Sequence, residues 1–234
     1  MKVIAGLMMA GVLVGVAAPA FAGGAAPAPA PSATPLGDTI SLEFSPEFLA
    51  ATYPGTTTHQ AGAWADTYGK VGFSHNLGNG WGLGVSIQDT VKAGSGAYKG
   101  AGNFQPEVSL GYKWKQDALT FGITGAVGYT SSAVVVPNSS GAYYALSGTV
   151  DWKLDSKWTW NVINARYRNA FAGSWFTPKL ATGVTYQIDA RQAVYTSFGY
   201  SWVDKGDYWN PTKDDVTGLQ PDKYNIAFGY KLGF

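Results

Sequence analysis

The sequence predicts an all-β fold, a transmembrane antiparallel up-and-down β-barrel of about ten strands. Three observations predict it. From residue 38 onward, apolar and polar residues alternate with period two in segments of about 12 residues. Short turns alternate with long loops between these segments. Trp and Tyr gather near the segment ends.

Ten segments carry the alternation. Residues 38–49 set Ile40, Leu42 and Phe44 against Ser41, Glu43 and Ser45. Residues 66–77 set Val71 and Phe73 against Lys70, Gly72 and Ser74, and 81–92 set Trp81, Leu83, Val85 and Ile87 against Gly82, Gly84, Ser86 and Gln88. Residues 103–115 and 118–131 repeat the pattern, with Glu107, Gly111 and Lys113, then Gly122 and Gly128, on the polar side. Residues 141–154, 179–189 and 191–203 follow it too. The final segment, 223–234, is the cleanest: Tyr224, Ile226, Phe228, Tyr230, Leu232 and Phe234 share one face, and small or polar residues share the other.

The seventh segment, 157–169, breaks the rule. Trp158, Trp160 and Val162 set an outward parity that Arg166 and Arg168 would continue. Either a bulge near Val162 turns the arginines inward, or they face outward above the apolar band. The bulge is the preferred expectation.

Composition removes other classes. The 234 residues include no Cys, so no disulfide scaffold is encoded. Charged residues are 13% and aromatics 15%, too few and too many for a disordered chain. The near balance of 16 basic and 15 acidic residues argues against a nucleic-acid partner. Residues 1–22 read as a signal peptide: Lys2, an apolar stretch, then Ala20-Phe21-Ala22 as the cleavage site. Residues 23–37 hold alternating Pro and Ala and no charge, which fits an extended periplasmic linker ahead of the barrel at 38–234.

The tight turns fall at Gly78-Asn79-Gly80, Lys115-Gln116-Asp117, Asp155-Ser156-Lys157 and Asp189-Ala190, all on one side. A soluble β-sandwich would not separate short turns from long loops in this way. The asymmetry puts both termini on the periplasmic, short-turn side. Trp81, Trp114, Trp152 and Trp158 then form one membrane-interface girdle, and Tyr129, Tyr200 and Trp202 the other.

The leader together with the ending Tyr230-Lys231-Leu232-Gly233-Phe234 resembles the pattern of Gram-negative outer-membrane β-barrel proteins. The layout resembles the small porin type, without a motif that fixes a subfamily. The resemblance implies export to the bacterial outer membrane. It also implies lipid and lipopolysaccharide contacts, and recognition of Tyr230 and Phe234 by the barrel assembly machinery.

Eight glycines fall on the inner parity: Gly72, Gly82, Gly84, Gly111, Gly122, Gly128, Gly183 and Gly229. They either open space for a narrow water path or make room for Tyr143, Tyr195 and long charged chains. If the lumen conducts, Glu43, Lys70, Glu107, Arg166 and Arg168 are the candidate lining. Inward charges of both signs can also pair and hold the barrel rigid.

Enzymatic chemistry finds little support. His59 lies in the first long loop and His75 in the second strand, and neighbouring Ser74 and His75 point to opposite faces. Asp204, Asp207, Asp214, Asp215 and Asp222 follow no metal-loop spacing. Loop aromatics Tyr53, Trp64, Trp175, Phe176, Tyr208 and Trp209 could meet a surface partner of unknown identity. The expectation is a narrow, weakly selective pore without catalytic residue, metal or cofactor. The alternatives are a closed structural or surface-binding barrel and, last, a lipid hydrolase.

Overall fold

A computed structural model of the chain describes residues 37–50, 61–92, 102–132, 141–171, 178–202 and 222–234. The expected leader, nearly all of the linker, His59, and the loop residues Tyr53, Trp175, Phe176, Asp204, Asp207, Tyr208, Trp209, Asp214 and Asp215 lie outside them.

Ten strands are formed: β1 (Thr39–Leu49), β2 (Trp64–Gly78), β3 (Trp81–Lys92), β4 (Gly102–Gln116), β5 (Leu119–Ser132), β6 (Gly141–Lys153), β7 (Trp158–Ala170), β8 (Lys179–Gln187), β9 (Gln192–Ser201) and β10 (Lys223–Gly233). Each pairs antiparallel with its chain neighbours, and β1 pairs with β10 to close the barrel. Closure leaves no sheet edge, the condition for a β-structure in lipid. Trp64 does not sit in a loop: it opens β2, 50% exposed.

The tight turns form for local reasons. Gly78, Asn79 and Gly80 all take positive φ (85°, 51° and 86°), which glycine tolerates and Asn adopts more readily than most residues. Between β6 and β7 the Asp155 carboxylate accepts N–H bonds from Lys157 and Trp158, both at 2.7 Å. Those two donors hold its pKa below the usual aspartate value. Asp189 does the same between β8 and β9, taking N–H bonds from Arg191 at 2.7 Å and Gln192 at 2.8 Å. Turns built from adjacent residues need no tertiary support, so they stay short.

The outer wall is apolar. Phe44 is 57% exposed, Val127 54% and Phe228 55%. A continuous apolar surface of this kind belongs in lipid rather than water. Aromatic rings mark both ends of it. On the turn side Trp81, Tyr112, Trp114 and Phe121 run in series, with centroids 5.1, 6.1 and 5.5 Å apart, and Trp158 meets Tyr186 at 4.7 Å. On the loop side Tyr200 meets Trp202 at 4.8 Å and Tyr144 meets Phe171 at 5.3 Å. A groove of about 370 Å³ beside Trp160, Thr182, Val184 and Phe198 lies on this wall, outside the lumen.

The bulge in β7 is present. The β6–β7 ladder pairs Asp151 with Asn161 and Val150 with Ile163, skipping Val162. That one extra residue flips the parity, and Arg166 and Arg168 reach across the lumen to partners on β4.

Candidate functional site

The lumen has two halves of different chemistry. Strand parity delivers both, but the loop-side half collects the charges and the turn-side half the small residues.

In the loop-side half, β4 and β7 face each other across the barrel. The Arg166 guanidinium donates to both oxygens of the Glu107 carboxylate, through Nη1 at 3.4 Å and through a second, closer contact from Nη2. Fork-to-fork pairing of this kind fixes geometry as well as charge. The Tyr143 hydroxyl donates to the same carboxylate at 2.9 Å. One layer toward the loops, Arg168 donates to Gln105 Oε1 at 2.8 Å and lies over the Tyr143 ring, 5.2 Å from its centroid.

A second knot joins β1, β2, β8, β9 and β10. Glu43 accepts the Tyr195 hydroxyl at 2.5 Å and the Tyr68 hydroxyl at 2.9 Å. Lys179 donates to the Tyr68 oxygen at 3.4 Å and rests over its ring. Above it Lys223 bridges Asp66 at 2.5 Å and Glu47 at 3.4 Å, with Asp66 only 4% exposed. Asn225 donates to Ser45 at 2.7 Å, both essentially buried. The ion pairs of Glu107 and Lys223 and the satisfied tyrosine hydroxyls make this half a packed collar, in which one buried oxygen each of Asp66 and Asn225 has no hydrogen-bond partner among the described residues.

In the turn-side half the inward positions are mostly small. Neighbours across the ladders read Ser41–Gly72–Ser86, Gly84–Ser109–Ala126, Gly111–Thr124–Ser147 and Gly122–Thr149–Asn164. Below them Lys113, Lys115, Lys153 and Lys231 share the inward register with Asp151, which accepts from Asn161 at 2.9 Å. Lys231 lies 4.9 Å over the Tyr195 ring. A cavity of about 160 Å³ opens here beside Ser41, Lys70, Gly72, Ser86, Glu107 and Ser109.

The glycines therefore divide. A β-carbon on Gly229 would overlap the Tyr195 ring, and one on Gly128 would overlap Tyr143. These two make room for a bulky neighbour. At Gly72, Gly84 and Gly111 the facing side chains are the small ones of Ser41, Ser86, Ser109 and Thr124, whereas Gly122 meets Thr149 and the stem of Lys113. The first three sit where no large side chain fills the space.

All five candidate lining residues point into the lumen. Glu107, Arg166 and Arg168 come together in one cluster; Glu43 belongs to the tyrosine knot; Lys70 stands between them. Asp66, Tyr68, Gln105, Lys179, Lys223 and Asn225 belong to the collar as well. Parity alone would have placed them there, since each shares its strand's inward register.

At the barrel edge His75 pairs with Asp38. Its Nδ1 lies 2.8 Å from both oxygens of that carboxylate. That contact, helped by the Asn76 N–H, lowers the Asp38 pKa. Among the described residues no group of His, Asp and Glu could hold a metal ion.

No family model matches the sequence, and no curated protein matches it either. Solved structures do match in shape. An outer-membrane channel of Pseudomonas putida F1 superposes with a TM-score of 0.53 at 10% identity, covering 86% of this chain and 97% of its own. The NanC porin gives 0.43 at 12% identity, over 82% and 100% of the two chains, and Neisserial surface protein A gives 0.40 at 7%, over 84% and 97%. The P. putida structure carries the argument, and it speaks to fold. Ten antiparallel strands, a closed ladder and an apolar outer wall give this chain the fold of outer-membrane β-barrels.

Proposed function

We propose that the barrel is a narrow, weakly selective pore for small polar solutes, inserted in the bacterial outer membrane and acting without catalysis or cofactor. The observation that carries this reading is the turn-side lumen, where hydroxyl-bearing and glycine positions surround a cavity that reaches the charged collar at Lys70 and Glu107. Ten strands are close to the number at which side chains just fill a barrel, so widening depends on small residues. The collar is the constriction, lined by Glu43, Lys70, Glu107, Arg166 and Arg168. The Trp and Tyr rings at the two ends act as interface girdles against lipid and lipopolysaccharide, and Tyr230 and Phe234 as the assembly signal.

A second reading has its own support. The Glu107 side chain is 10% exposed and that of Asp66 5%, so the loop-side half is well filled. A barrel filled to that degree could be closed and act through its loops. Planar-bilayer recording decides between them. The pore reading expects discrete, small conductance steps from purified protein, altered by Glu107→Gln and by Arg166→Ala. A correctly folded barrel that never conducts contradicts it.

A further inference from the structure

The whole chain is almost neutral, with 16 basic and 15 acidic residues, yet the lumen is not. In the collar, among the described side chains, five cations (Lys70, Arg166, Arg168, Lys179 and Lys223) meet four carboxylates (Glu43, Glu47, Asp66 and Glu107). Toward the turns, Lys113, Lys115, Lys153 and Lys231 share the inward register with Asp151. Both layers carry positive charge in excess.

The carboxylates are also the better neutralised sign. Glu107 takes both arms of Arg166 and the Tyr143 hydroxyl. Glu43 takes two tyrosine hydroxyls. Glu47 and Asp66 share Lys223. Lys70 is different. Its ammonium makes no ion pair and no side-chain hydrogen bond to any described residue. It borders the cavity whose other polar walls are the hydroxyls of Ser41, Ser74, Ser86 and Ser109 and the carboxylate of Glu107, whose charge the Arg166 guanidinium already takes up. Ser41 donates to the Gly72 carbonyl at 3.5 Å and Ser74 pairs with Thr39 at 2.6 Å, which leaves the Ser86 and Ser109 hydroxyls to point a proton at an anion held beside the ammonium. A narrow passage with low-dielectric walls magnifies the effect of a small charge excess on the ions inside.

We propose that the pore prefers small anions over cations, and that Lys70 with the serine hydroxyls of the cavity is where a passing anion is held. The chemical class is a small monovalent anion such as chloride or a short carboxylate, given the 160 Å³ of space. This inference rests on the pore reading.

The test is the reversal potential of purified protein in a planar bilayer under a KCl gradient. The expected sign is that of chloride permeation. Lys70→Gln should bring the chloride-to-potassium ratio several-fold closer to one, Lys70→Glu should invert it, and Lys70→Arg should keep it. Lys157, whose ammonium lies 5.8 Å over the outward Tyr186 ring, provides a control, and Lys157→Gln should change nothing. A conducting barrel that is unselective or prefers potassium overturns the anion site and leaves the pore intact. A conducting anion-selective barrel whose ratio ignores all three Lys70 variants overturns the role of Lys70. A folded barrel without conductance overturns the pore reading and this proposal with it.

Discussion

The two halves of the lumen are built from the same strands by the same alternation, yet one is a collar and the other a vestibule. Near the loops, inward positions carry Glu, Asp, Lys, Arg and Tyr, knitted across the barrel by hydrogen bonds as long-range as Tyr195 to Glu43 at 2.5 Å. Between the collar and the lysines of the turn end they carry mostly Gly, Ser, Thr and Ala, whose side chains are short. The strand scaffold sets where side chains point; side-chain length alone decides whether the space closes. Rigidity and openness are thereby assigned to opposite ends of one cylinder.

The contrast makes substitutions unequal. The largest effect is expected in the collar. Arg166→Ala leaves the Glu107 carboxylate, 10% exposed, without its cation, and should cost about 3 kcal/mol in urea unfolding from lipid vesicles. A loss below about 1 kcal/mol would mean that water already reaches that carboxylate. Next comes Gly229→Val, which forces the Tyr195 ring from its seat beneath Glu43. Overpacking of this sort should cost roughly 1–3 kcal/mol, seen as a lower urea midpoint. In the vestibule Ser86→Ala should change stability by no more than about 0.5 kcal/mol, because no packed neighbour depends on that hydroxyl. A large loss there would erase the distinction between the halves.

The smallest effect lies outside the lumen, at the β6–β7 turn. Backbone N–H bonds from Lys157 and Trp158 hold the Asp155 pKa below the ordinary value of 3.8. A lowered folded pKa means that the turn is favoured at neutral pH, and that the benefit is lost as pH falls below about 3.8 through the folded value. Asp155→Asn should therefore flatten the acid limb of the stability profile slightly, measured by fluorescence-detected unfolding between pH 5 and roughly pH 2.

The barrel was legible because lipid outside and polar lumen inside impose alternation on every strand, and alternation is a one-dimensional signal. Each strand boundary could be read to within two residues, and the parity break at Val162 announced the bulge that aims Arg166 and Arg168 inward. Trp64 misled because its strand extends beyond the last clear alternating pair at that end. The collar was harder. Parity shows that Glu107 and Arg166 both face the lumen, but β4 and β7 are not neighbours, so their meeting depends on tilt and diameter. The same holds for Lys179 and Tyr68. The glycines needed the partner strand as well: Gly229 and Gly72 look alike in sequence, and only Tyr195 and Ser41 opposite them tell one role from the other.

The division of the lumen can be measured directly because the chain has no cysteine. Single cysteines at Ser86 and Ser109 in the vestibule, and at Ser45 in the collar, where the native side chain is fully buried, can be challenged with a membrane-impermeant thiol reagent applied from the turn side of reconstituted barrels. Rapid labelling of Ser86→Cys and Ser109→Cys with Ser45→Cys protected is the predicted result. Protection of all three, or equal labelling of all three, would contradict a collar standing over an open vestibule.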